Sequence, residues 1–222
     1  MSNVAKRLPL LRAALKGFCF MEIYDISQEF FSGEVYPGDP APEKTTVYSM
    51  ENGDLYNLTA FSASAHSGTH LDAPKHFIKD GASVSEIPLY KTVGFCYVAE
   101  CDGEIGKKEA EAILDKAKAE NPEAKFRILI KGTGVLNVEG ARTFADNGIY
   151  LIGSESQSVG NVNAPMAVHI ELLSKEVVLL EGIRLSEVSK GVYFLSAQPL
   201  KMANSDGAPV RAILIKCRNS EI

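Results

Sequence analysis

Three of the chain's four histidines fall within eleven residues, in the run AHSGTHLDAPKHF (residues 65–77), and that run leaves the local backbone few options. His66, His70, Asp72 and His76 are spaced by four, two and four residues. On a helix, at about 100° per residue, His66 and His70 share a face but Asp72 points away. On a regular strand, at about 3.3 Å per residue, all four share parity, yet the outer two stand about 33 Å apart. Gly68 and Pro74 disfavour both regular forms. A bent loop leaving a strand is what remains, and such a loop can turn several side chains toward one point.

Imidazole nitrogens combined with carboxylate oxygens suit borderline divalent ions such as Zn²⁺, Mn²⁺ or Fe²⁺. From the residues alone, the run is either a metal-binding loop or a set of solvated and capping histidines.

The rest of the chain narrows the class. Its 222 residues, 45% hydrophobic and 23% charged, suit one domain or at most two small ones. A net charge of −5 gives no electrostatic footprint for nucleic acid. No stretch approaches the roughly 18–20 apolar residues of a membrane span. Near the N-terminus, Arg12 and Lys16 interrupt the one candidate signal-peptide core, and no small-residue cleavage site follows, so the expected location is cytoplasmic. The four cysteines (Cys19, Cys96, Cys101 and Cys217) form no CxxC pair and read as buried or incidental thiols.

Apolar periodicity predicts helices over 8–17 and 107–119, and Pro suits the first turn of a short helix over 165–174, as Pro9 does for 8–17. Segments 92–101, 126–131, 149–153, 177–180 and 210–216 have strand composition, and 55–65 reads as extended. Residues 34–43 form a Pro/Gly-rich loop. Strands and helices alternate after residue 90, while the first ninety residues look mostly β. The expectation is a single domain of mixed β-sheet with helices over residues 21–222, preceded by a helical extension at 1–20.

The segment HSGTHLDAPKH resembles the HxGTHxDxPxH signature of the metal-dependent cyclase family, which includes arylformamidases and isatin hydrolase. All seven fixed positions are present: His66, Gly68, Thr69, His70, Asp72, Pro74 and His76. Tyr36-Pro37-Gly38-Asp39-Pro40 is similar to the family's aromatic-PGD loop. His169, followed by Glu181, is similar to its downstream His…Glu pair, and Asp206-Gly207-Ala208-Pro209-Val210-Arg211 is also familiar. Two positions depart from the pattern: Ser154 stands where Asp is expected, and Tyr36 where formamidase members more often carry Trp. Both departures bear on substrate rather than on metal.

The resemblance implies a swivelling β/β/α fold and a site with two Zn²⁺ ions, or alternatively Mn²⁺. His66, His70 and Asp72 would hold the first ion, with Asp72 bridging to the second. His169 would bind the second, and Glu181, preferred over Glu171, would contact both. His76 would be the acid/base residue, and Tyr36 would line the substrate pocket. Ser67 and Thr69 could orient ligands through hydrogen bonds. The chemistry so implied is hydrolysis of an amide-type C–N bond in a small N-acyl aromatic or cyclic amide, using metal-activated water. The rival expectations are a metal-dependent dehydratase or cyclase acting on a hydroxylated small molecule, and a non-catalytic metal-binding protein. A homodimer or larger homo-oligomer is expected, with the apolar N-terminal segment either a contact element or a helix packed on its own subunit.

Overall fold

The computed structural model describes residues 19–219, so the helix expected at 8–17 lies outside the described residues. Strands β1 (Cys19–Asp25), β2 (Glu43–Tyr48), β3 (Leu58–Ser62) and β4 (His70–Asp72) come first. Next come β5 (Val93–Glu100), β6 (Glu104–Ile105), helix α1 (Lys107–Glu120), β7 (Arg127–Lys131), β8 (Val135–Leu136), α2 (Val138–Asp146) and β9 (Leu151–Ser154). The chain finishes with α3 (Met166–Leu173), β10 (Val178–Glu181), β11 (Gly191–Ser196), β12 (Gly207–Pro209) and β13 (Ile213–Asn219).

Nine of these strands form one mixed sheet in the order β1-β13-β11-β5-β7-β9-β10-β4-β12. Its centre, β5-β7-β9-β10, is parallel, and the connections through α1, α2 and α3 are helical crossovers. Both flanks are antiparallel. This is the mixed α/β architecture that the alternation after residue 90 predicts.

The central strands are apolar on both faces because both faces are covered. Ile128 and Ile130 of β7 face the helices, packing with Ile113 and Leu114 of α1, Phe144 of α2 and Leu172 of α3. Leu129, between them, enters the opposite core with Leu71, Leu180, Leu195 and Leu214. All three helices contribute to the first core, so they lie on one side of the sheet.

Helix α2 and strand β11 are among the elements that the sequence does not predict. Helix α2 carries Gly140 and β-branched residues, which weaken its helical pattern; Asn137 caps it by accepting from the Gly140 N–H at 2.9 Å. Gly140 is needed because a Cβ there would collide with the Ile105 carbonyl. Strand β11 pairs with both β5 and β13, in a segment for which no strand was predicted. The β2–β3 hairpin stands outside the main sheet, and every residue of its two strands is exposed.

Candidate metal centre

The histidine run resolves into three short pieces: a turn carrying His66, strand β4 at His70–Asp72, and a single 3₁₀ turn at Pro74–His76. Gly68 takes φ +62 at the bend, a left-handed conformation natural to glycine. The bent path expected from the spacing is present, with a regular strand of three residues at its centre.

Register does most of the assembly. β4 lies between β10 and β12, and Glu181, the last residue of β10, pairs directly with His70. His70 and Asp72 share one face of β4 by the two-residue repeat, and a directly paired residue shares it too. Three buried ligand-type side chains therefore converge: His70 Nε2 lies 3.4 Å from Asp72 Oδ1 and 3.4 Å from Glu181 Oε2. Leu71 points the other way, into the second core.

Helix α3 adds His169 from the side. Its Nδ1–H donates to the Pro165 carbonyl at 2.9 Å, which leaves Nε2 facing Glu181 Oε1 at 3.3 Å and Asp72 Oδ2 at 3.6 Å. His70 is held in the same manner, its Nδ1–H donating to the Gly68 carbonyl at 3.0 Å. His66 donates from Nδ1 to Asp72 Oδ1 at 2.8 Å and from Nε2 to Asp206 Oδ2 at 2.9 Å. His76 stacks on His66, with ring centroids 4.1 Å apart, and donates from Nδ1 to Asp206 Oδ2 at 3.3 Å.

Carboxylates set the protonation of most imidazoles in this cluster. Burial disfavours the protonated form of each imidazole, but Asp72 and Asp206 outweigh it at His66, raising its pKa to about 8. Asp72 and Glu181 do the same at His70, to about 10, and Glu181 with Asp72 raises His169. Asp72 itself is fully buried, yet His66 and His70 hold its carboxyl well below the usual range. His76 goes the other way, because burial and the charge of His66 outweigh its carboxylate neighbours.

A cation fits this arrangement. Asp72 Oδ2 is buried with no hydrogen-bond partner, a costly state for a carboxylate oxygen. Two ligand-type groups share Asp72, one with His66 and His76 and the other with His70 and Glu181, each with its atoms within 4.8 Å of one another. Nitrogen and carboxylate donors of this kind match borderline divalent ions.

The cluster forms one wall of a pocket of about 380 Å³, an adequate size for a small molecule. His66, His70, His76, His169 and Glu181 line it, with Tyr36, Phe77 and Pro165 as less polar walls. The Tyr36 hydroxyl donates to the Val162 carbonyl at 2.7 Å. Glu171 lies elsewhere, bound to Arg142 of α2. Thr69 is a brace, accepting from the Gln28 N–H and donating to the Gly182 carbonyl, whereas the Ser67 hydroxyl is buried without a partner. In the segment around Ser154, the carboxylate belongs to Glu155, which accepts from the Gly132 and Leu185 N–H groups. Cys96 is buried, and burial pushes its thiol up to about 12, so it offers no nucleophile.

Asp206 was not singled out as a site residue, although it lines the pocket and contacts two histidines. Its segment carried the signal, but 130 residues separate it from His76.

The family model described as "Putative cyclase" matches residues 24–161, a span that includes the histidine run and ends before His169 and Glu181. A kynurenine formamidase of Salinibacter ruber is 33% identical over 212 residues, covering 87% of this chain and 97% of that protein. The structure of a predicted metal-dependent hydrolase from Bacillus stearothermophilus is similar with a TM-score of 0.70 and 26% identity, covering 88% of this chain and 98% of that one. Isatin hydrolase A from Labrenzia aggregata shares the fold with a TM-score of 0.75 at 22% identity, covering 89% and 94%.

Proposed function

The chain belongs to the cyclase family, and from that premise we propose that it is a cytoplasmic, metal-dependent hydrolase of an amide-type C–N bond. The substrate class is a small N-acyl aromatic or cyclic amide. The observation that carries the reading is the buried face of His70, Asp72 and Glu181, with an unpartnered Asp72 oxygen, opening onto a pocket of small-molecule size. A relative named kynurenine formamidase supports the choice of bond.

His66, His70, Asp72, His169 and Glu181 would hold two ions, Zn²⁺ or alternatively Mn²⁺, with Asp72 shared between them. Divalent ions supply Lewis acidity toward a carbonyl oxygen and lower the pKa of water. The chain's own residues supply the rest. Asp206 can only accept a hydrogen bond, so Nδ1 of His76 carries the proton and Nε2 is left to take up or deliver one. A proton delivered there serves the departing nitrogen. Tyr36 and Phe77 offer aromatic surface to an aryl group.

The exposed β2–β3 hairpin supports a homo-oligomer. Val47, Leu58 and Phe61 are apolar residues on its surface, although Phe61 also meets Phe30 and Phe31 edge-on.

Incubating the metal-reconstituted protein with N-formylkynurenine, isatin and cyclic imides, followed by mass spectrometry, tests the reading. Products heavier than substrate by one water are expected. Loss of water from a hydroxylated substrate would overturn hydrolysis in favour of dehydration.

A further inference from the structure

Asp206 meets two histidines through one oxygen. Its Oδ2 accepts from the His66 Nε2–H at 2.9 Å and from the His76 Nδ1–H at 3.3 Å. The two rings stack with centroids 4.1 Å apart and planes 32° apart, and each turns a different nitrogen toward the same atom. The backbone holds that carboxylate in place. The Ala73 N–H donates to the Asp206 carbonyl at 2.9 Å, the Val84 N–H donates to the Ser205 carbonyl at 2.9 Å, and Gly207 pairs with Asp72. The His66 ring is seated as closely: a Cβ on Gly207 would come within 2.7 Å of its Cε1.

The consequence is chemical. A neutral imidazole carries one N–H and one lone pair, and a carboxylate can only accept. The nitrogen that faces Asp206 is therefore the protonated one, and the lone pair falls on the other. At His66 this leaves Nδ1, which lies 2.8 Å from Asp72 Oδ1, the oxygen that His70 Nε2 approaches at 3.4 Å. At His76 it leaves Nε2. His70 and His169 each have a backbone carbonyl for the same purpose, that of Gly68 and that of Pro165, and both keep Nε2 for the cluster. His66 is the exception among the four, and Asp206 is what makes it so. Asp206 is itself half-exposed, and ion pairs in such settings contribute little to stability, so its replacement leaves the fold intact.

We propose that Asp206 is a positioning residue that sets opposite tautomers in two rings, selecting Nδ1 of His66 as the nitrogen offered to a divalent cation and Nε2 of His76 as the one that exchanges a proton. The assignment rests on the metal-dependent reading and goes beyond it in fixing which nitrogen serves at each ring.

Long-range proton–nitrogen correlation spectra of the isotope-labelled, zinc-reconstituted protein test it, with the four imidazoles assigned from their own backbone resonances. Expected are Nε2–H with an unprotonated Nδ1 at His66, and Nδ1–H with an unprotonated Nε2 at His76. In Asp206→Asn, whose amide can donate as well as accept, His76 should lose its single tautomer. Zinc affinity of that variant, measured by chelator competition, should fall ~10–100-fold, the range for partners of metal ligands. His66 with Nδ1–H, His76 with Nε2–H, or a folded Asp206→Asn with both tautomers and the affinity unchanged would each overturn the proposal and leave the metal-dependent reading standing. A parent protein that binds no zinc would overturn both.

Discussion

His70 and Glu181 face each other as register partners of antiparallel strands, with Nε2 3.4 Å from Oε2 and both side chains buried. The pairing brings together two residues 111 positions apart in the chain, and Asp72 on the same face completes a set with no apolar explanation. A buried carboxylate and imidazole held in this way are expensive unless a cation or proton balances them.

Asp72 is the residue common to both ligand groups, so its loss should affect every bound ion. Asp72→Asn is expected to lower metal affinity by at least ~100-fold, since even outer-shell partners of metal ligands are worth 10–100-fold. Chelator competition with the folded variant measures it; unchanged affinity would remove Asp72 from the site.

Tyr36→Phe removes the hydroxyl that donates to Val162 while keeping the ring. A loss of about 0.5–1.5 kcal/mol in loop positioning is expected. It should raise KM several-fold and leave kcat within about twofold, because the hydroxyl holds the loop and takes no part in proton transfer. Steady-state kinetics separates the two.

Gly182 follows Glu181 at φ +68, and a Cβ there would come within 2.5 Å of the Gly68 carbonyl. Gly182→Ala should therefore destabilise the fold by about 1–3 kcal/mol through backbone strain. It should also weaken metal binding, since Gly68 holds His70 in place. Denaturant unfolding and metal titration report the two effects independently.

Replacing Val47, Leu58 and Phe61 together with serine removes apolar surface from the hairpin without touching either buried core. Light scattering should show a shift toward monomer, and an unchanged mass would exclude the hairpin as the subunit contact. As a contrast, Phe144→Ala in the helix-side core should cost about 3–5 kcal/mol of stability without altering the oligomer.

What could be read in advance depended on distance along the chain. His66, His70, Asp72 and His76 announce themselves because spacing and the intervening Gly68 and Pro74 act within eleven residues. Glu181 came from family resemblance rather than from periodicity, since nothing local shows that β10 pairs with β4. Asp206 reaches His66 and His76 through β12 pairing, which is equally invisible in a single sequence. The strands of the parallel centre were legible because burial on both faces makes them continuously apolar. Helix α2 was not, because Gly140 is demanded by the nearby Ile105 carbonyl rather than by helix propensity. The exposure of the hairpin depends on which faces remain uncovered, and only assembled topology reveals that.

On the proposed function, divalent ions on the His70–Asp72–Glu181 face are required for hydrolysis. The direct measurement is the rate on whichever amide substrate the protein accepts, followed as bound metal is stripped by chelation and restored in steps. Hydrolysis is expected to be lost with the metal, to recover in proportion to ion bound, and to be abolished in His70→Ala. A metal-stripped protein that hydrolyses the substrate at the undiminished rate would contradict it.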